Sequence, residues 1–187
     1  LKAGMSASQG AAPSTLWGED ILTAMQSGLT AAEAVKMITS ADQGRAHRHL
    51  AAVDLSGNAA AFTGEKNEDV KGSLIFPSGI ASGNMLGSEA VLSAMAEAAA
   101  KPVQGFDMRL LEALKAAHDA GSDFRGLLSA ALLILHPDRP PLTLRIDYHA
   151  DDPIGALEHL YLKATSGDYA EWAQQVPVAS DKERVLD

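Results

Sequence analysis

Read along the chain, the apolar positions change period several times. Met5-Ser-Ala-Ser-Gln9 is short, built of small residues and bounded by Gly4 and Gly10, which predicts a buried strand. After Pro13-Ser14, Leu16, Trp17, Ile21, Leu22 and Met25 recur at helical spacing until Gly28 stops the pattern. Thr30-Ala-Ala-Glu33 is a capping box, in which the Thr hydroxyl accepts from the Glu33 backbone N–H while the Glu carboxylate reaches back. The helix it opens turns Ala34, Val35 and Ile38 inward. The chain then switches to short strands. His49 to Asp54 and Ala59 to Thr63 flank Leu55-Ser-Gly-Asn58, a hairpin loop containing Gly57. Ser73 to Phe76 and Gly79 to Ser82 flank a second turn at Pro77-Ser-Gly79.

Helical spacing returns after Gly83-Asn84-Met85. Ser88 can cap a segment through Ala100, and Asp107 another through Ala120, with Leu110, Leu111, Leu114 and Ala117 inward. Leu127 to Leu135 has Ser129 as its one polar residue, so it reads as the most buried strand of the chain. His136 to Pro141 reads as a loop. Leu142, Leu144 and Ile146 then alternate with Thr143, Arg145 and Asp147, a half-exposed strand. Asp152-Pro153 opens a last helix with Asp as N-cap and Pro at its first position. The polar tail after Trp172 reads as mobile. Strands and helices do not alternate regularly, which argues against a parallel doubly wound sheet. Antiparallel hairpins with helices outside them, an α+β fold, fit better. No internal repeat or long linker breaks the chain.

Composition narrows the functional classes. The 187 residues suit one domain with a small appendage, here 1–165 followed by a C-terminal helix and tail over 166–187. The chain carries 24 acidic against 15 basic side chains, a formal net charge of −9. That balance argues against a nucleic-acid or anionic-lipid surface. No apolar run approaches the ~20 residues of a membrane span, and no secretory signal opens the chain, so the cytoplasm is the default location. Zero cysteines exclude disulfides, Cys-bound metals and a thiol nucleophile within the chain. Any nucleophile it supplies is therefore a hydroxyl. The first residue is Leu1 rather than Met, which suggests a start inside a longer protein.

Familiar catalytic motifs are missing. Gly83-Asn-Met-Leu-Gly87 lacks the Gly-Lys-Ser/Thr ending of a phosphate loop. No Gly-x-Ser-x-Gly elbow and no His-Glu-x-x-His pair occurs. His47-Arg-His49 would put two imidazoles on one strand face, but no third ligand lies near in sequence, and strand histidines are ordinary, so no metal is assigned. Asp147 and His149 would share a strand face and could orient a base; turn and cap chemistry before Pro153 explains the same residues. Asp123-Phe-Arg125-Gly126 leads into the Leu127 strand. Its planar guanidinium suits a carboxylate, or it forms an exposed ion pair with Asp123. Ser6 and Ser8 have no sequence-adjacent base, and composition favours reading them as small strand residues packed under a helix.

Several short pieces, taken in order, resemble the bacterial domain-of-unknown-function family 1028, placed among the N-terminal-nucleophile (Ntn) hydrolase-like folds. They are Ala7-Ser-Gln9, Gly28-Leu-Thr30-Ala-Ala-Glu33-Ala34, His49-Leu-Ala-Ala-Val-Asp54 with Gly57, and Phe62-Thr-Gly64. Ser82-Gly-Asn84-Met-Leu86, Gly121-Ser-Asp123-Phe-Arg125-Gly126 with Ser129-Ala-Ala131, and Leu144-Arg-Ile-Asp147 with His149 and Pro153 follow. The resemblance runs from Ala3 to about Leu162. It implies a four-layer α/β/β/α sandwich whose first strands lie before Ala3. In Ntn hydrolases a Thr, Ser or Cys at the mature N-terminus attacks an amide carbonyl, with its own α-amine, of pKa about 8, as base. Leu1 has no such side chain, so the resemblance implies a nucleophile outside this chain or a lost mechanism.

The resulting expectation is a hydrolase of a linear amide or related C–N bond in a small molecule or peptide. Asn84 would donate to the oxyanion, Arg125 would clamp a substrate carboxylate and Asp123 would orient it. Ser8, Gln9 and His149 would line the substrate pocket. No cofactor is called for, and a homodimer is expected because twofold oligomers are the commonest. A non-catalytic ligand-binding or assembly protein on the same fold is the competing expectation.

Overall fold

The computed structural model describes residues 3–102 and 105–186. Strands β1 (Gly4–Gln9), β2 (His49–Asp54) and β3 (Ala59–Thr63) form one antiparallel sheet in that order. Strand alternation decides what each face does. Leu50 and Ala52 turn to one face, where helices α1 (Thr15–Gln26) and α2 (Ala31–Ser40) cover them. Trp17, Ile21, Ala24, Met25, Ala34 and Val35 complete that core. His49, Ala51 and Val53 turn to the opposite face, against which the hairpin β4 (Gly72–Phe76) and β5 (Gly79–Gly83) packs. Helix α3 (Ala90–Ala100) packs on this hairpin in turn.

The rest of the chain builds a second core. Helix α4 (Phe106–Asp119) lies along α3 and reaches the hairpin β6 (Ala130–His136) and β7 (Arg139–Ile146). Helix α5 (Pro153–Ala164) packs on the same hairpin, followed by α6 (Gly167–Ala173). Leu111, Leu132, Ile134, Leu144 and Leu157 meet there. The molecule is thus a mixed α/β protein with small antiparallel sheets. No helix is long and apolar enough to cross a membrane among the described residues.

The local signals for three helix starts hold. Ser14 and Asp152 accept from backbone N–H groups of the first turn, and Thr30 with Glu33 makes both halves of the capping box. Five expectations are corrected. Asp107 is not an N-cap: Gly105 occupies that position, and the buried Asp107 carboxylate instead accepts two hydrogen bonds from the Arg139 guanidinium, both 3.2 Å. Glu89, not Ser88, directly precedes α3, yet the Ser88 hydroxyl accepts from the Ala90 N–H at 3.2 Å while it donates to the Ala120 carbonyl at 2.6 Å. The Leu127 strand starts only at Ala130 and is buried on one face, leaving Leu133 and Leu135 exposed. The supposed His136–Pro141 loop is a tight hairpin turn, because Pro140 and Pro141 fit a strand that has a free edge. The tail also folds back: Val178 is buried, and Ser180 donates to the Pro137 carbonyl through its N–H and its hydroxyl.

Candidate functional site

Two polar clusters flank β5. The first lies just past its end. Leu86 bridges Asp123, the Phe124 N–H donates to the Met85 carbonyl at 3.0 Å, and the Gly87 N–H donates to the Ser122 carbonyl at 2.8 Å. The loops Asn84–Leu86 and Ser122–Arg125 are therefore stitched together. Gly87 is required there, since a Cβ would stand 2.2 Å from the Gly121 carbonyl oxygen. Each loop also holds a non-glycine residue in the left-handed region, Met85 at φ 60° and Ser122 at φ 54°. Such conformations cost about 1–2 kcal/mol apiece and persist only where neighbouring contacts impose them.

This juxtaposition sets the loop that carries Asn84 beside the loop that carries Asp123 and Arg125. The Asn84 side-chain oxygen is buried and has no hydrogen-bond partner. Arg125 is already engaged by Asp123 along one edge of its guanidinium. Its Nε and Nη2 donate to the two Asp123 oxygens at 2.9 and 2.6 Å, and its backbone N–H adds a third bond at 2.9 Å. The guanidinium holds the Asp123 carboxyl below the usual carboxylate range, against an opposing push from burial.

The second cluster lies between the sheet β1–β3 and the hairpin β4–β5. In β4–β5, Ser73 stands directly opposite Ser82, and both side chains meet His49 across the gap. The His49 Nε2 is 2.6 Å from the Ser82 hydroxyl, 3.0 Å from that of Ser73 and 3.5 Å from that of Thr63. The two serine hydroxyls are 2.8 Å apart. His49 is wholly buried, and its Nδ1 has no partner. Burial pushes its pKa below the ordinary histidine value, so the ring is held neutral. A neutral imidazole touching a hydroxyl is the arrangement a general base needs.

The remaining expected site residues separate. Ser8 pairs with Leu50 and shares the helix-covered face; its hydroxyl is buried without a partner. Gln9 pairs with His49 and lies on the other face of β1, so one pocket wall cannot hold both residues. The Asp147 and His149 pairing does not form. β7 ends at Ile146, Asp147 turns to Arg145 at 2.6 Å, and the His149 Nδ1 accepts from the backbone N–H groups of Asp151 and Asp152. His47 sits in a single 3-10 turn, Arg45–His47, so it does not share a strand face with His49. No group of three or more His, Asp or Glu is arranged to hold a metal among the described residues.

The serine–histidine cluster was not foreseen, although part of it was readable. A hairpin turning at Pro77-Ser78 necessarily sets Ser73 against Ser82 once the register is drawn. What the pattern cannot show is that His49, 24 residues before Ser73, faces that pair.

A protein of this fold and these loops can now be placed. A family model matches residues 1–157: the family of unknown function DUF1028, to which this chain belongs. The chain is similar to a solved structure, the crystal structure of protein SPO2555 from Silicibacter pomeroyi, described under the same family. The two share 66% sequence identity and a TM-score of 0.94 over 100% of this chain and 80% of that one. No curated protein matches the chain.

Proposed function

We propose that this protein is a hydrolase of a linear amide or related C–N bond in a small molecule or peptide, on an Ntn hydrolase-like α/β/β/α framework. The packing order supports the framework: α1 and α2 on β1–β3, that sheet on β4–β5, and α3 on β4–β5 in turn. The observation that carries the chemistry is the stitching of the Asn84 loop to the Asp123–Arg125 loop. The Asn84 amide N–H groups would donate to the oxyanion, a contribution of about 3–4 kcal/mol where one such donor has been removed from a protease. Asp123 fixes the plane of the Arg125 guanidinium and leaves Nη1 to meet a substrate carboxylate. Gln9, on the open face of β1, would contact the substrate.

The test is turnover of an amide panel by the full chain, repeated with Asn84→Ala and Arg125→Ala. A loss of about 100-fold or more in kcat for Asn84→Ala, with a raised KM for Arg125→Ala, is expected. Unchanged turnover in both variants overturns the assigned roles. A second reading, an assembly module forming a homodimer, is favoured by the exposed apolar side chains Leu74 and Ile75 on β4 and Leu133 and Leu135 on β6. A strictly monomeric mass by light scattering at high protein concentration removes it.

A further inference from the structure

We propose that Ser82 is a nucleophile of this protein, with His49 as its general base and Ser73 as a positioning residue. The inference rests on the hydrolytic reading for its substrate class, while the pair itself stands on its own geometry. The Ser82 hydroxyl and His49 Nε2, 2.6 Å apart, are within direct proton-transfer reach. Ser73 touches both, at 2.8 Å from the Ser82 oxygen and 3.0 Å from His49 Nε2, and closes a compact triangle. Its hydroxyl can donate to Ser82, which directs the Ser82 proton toward the imidazole.

Ser73 and Ser82 are only half-buried, although His49 behind them is wholly enclosed. Met5 and Ala7, on the same face of β1 as Gln9, are exposed, so that face is open beside the His49 row. The residues set around the His49 ring from β1, β3, β4 and β5 are Gln9, Thr63, Ser73 and Ser82, none of them charged. Burial alone therefore keeps the ring neutral and able to accept a proton.

With an amide, the Ser82 oxygen bonds to the carbonyl carbon as its proton passes to His49 Nε2, and the C=O pair moves onto oxygen. Collapse breaks the C–N bond, and His49 returns the proton to the departing amine. Water then cleaves the acyl-serine, giving the carboxylic acid and restoring the Ser82 hydroxyl. No carboxylate supports His49 Nδ1, and disabling that support in a serine protease slows catalysis about 10⁴-fold. The pair is accordingly much slower than a complete triad, and a reactive probe reads it better than a plain amide.

The test is labelling of the full chain with an alkyl fluorophosphonate, followed by intact mass and peptide mapping. The expected result is a single adduct on Ser82, formed as an O–P bond replaces P–F and fluoride leaves. His49→Gln should slow the labelling about 100-fold or more, Ser73→Ala should slow it less, and Ser82→Ala should abolish it. The unmodified protein supplies an independent reading: its labelling rate should rise with pH and level off, with a midpoint below the ordinary histidine value of 6.5. An adduct elsewhere, no adduct, a rate indifferent to His49→Gln, or a rate still climbing in alkali overturns the proposal. Labelling at Ser82 without turnover of any amide keeps the pair and removes the amide reading. Amide turnover that Ser82→Ala leaves intact keeps that reading and removes Ser82.

Discussion

The two cores of this molecule are made differently. The first, between α1–α2 and β1–β3, is rich in alanine: Ala24, Ala31, Ala34 and Ala52 pack around Leu50 and Ile21. The second, between α4–α5 and β6–β7, is made of leucine and isoleucine. The difference extends to the strands. β2 is buried on both faces from His49 to Ala52, whereas β6 hides only alternate residues. Small side chains let a second layer come close to β2, which is what brings two hairpin serines against a buried histidine. Large side chains on β6–β7 fill their space, and their far face carries exposed Leu133, Leu135, Arg145 and Thr143 in or beside solvent. One half of the molecule thus gathers polar groups between layers, and the other supplies bulk apolar burial.

The comparison breaks most sharply at Leu157, fully buried in the leucine core. Leu157→Ala should cost about 2–5 kcal/mol, through lost transfer energy and the cavity left behind. Denaturant melts check this. A cost under about 1 kcal/mol would show that the second core collapses around the gap and is softer than its composition suggests.

Much of this architecture was legible from local signals. The Thr30–Glu33 capping box, the Asp152-Pro153 start and the hairpin around Gly57 each depend on residues adjacent in sequence, and each stands as read. The misreadings share one physical cause, which is that their deciding partner is remote. Asp107 carries a capping residue's chemistry, yet Arg139, 32 positions later, takes its carboxylate. The Leu127–Leu135 run is apolar on both faces, and periodicity does not say which face a helix covers. His49 reads as an ordinary strand residue until the hairpin is laid over it.

A smaller effect, of opposite sign in volume, should follow in the alanine region. Ala51 lies on the His49 face of β2 and is almost wholly enclosed. Ala51→Leu inserts three heavy atoms where the hairpin comes close, and overpacking of this kind costs about 1–3 kcal/mol. Its sharper signature is chemical. If small side chains are what hold Ser82 against His49, fluorophosphonate labelling of Ser82 should fall even at temperatures where the variant remains folded. Labelling at the unmodified rate would mean that the cluster does not depend on the close approach.

The smallest effect is confined to acid. Burial lowers the His49 pKa in the folded state relative to the unfolded chain. Below the ordinary value of 6.5 the unfolded chain therefore binds the proton first, and folding stability falls as pH drops toward the folded-state value. Above 6.5 both states are largely unprotonated, and this contribution to the pH dependence vanishes. His49→Gln removes the titration while keeping a side chain able to meet Ser73 and Ser82. The slope of stability against pH below 6.5 should flatten. Urea melts of both proteins across that range make the measurement. Equal slopes would show that water enters the cluster and that His49 titrates as freely as a surface histidine. The alanine region would then be no drier at its polar centre than the open face of β6–β7.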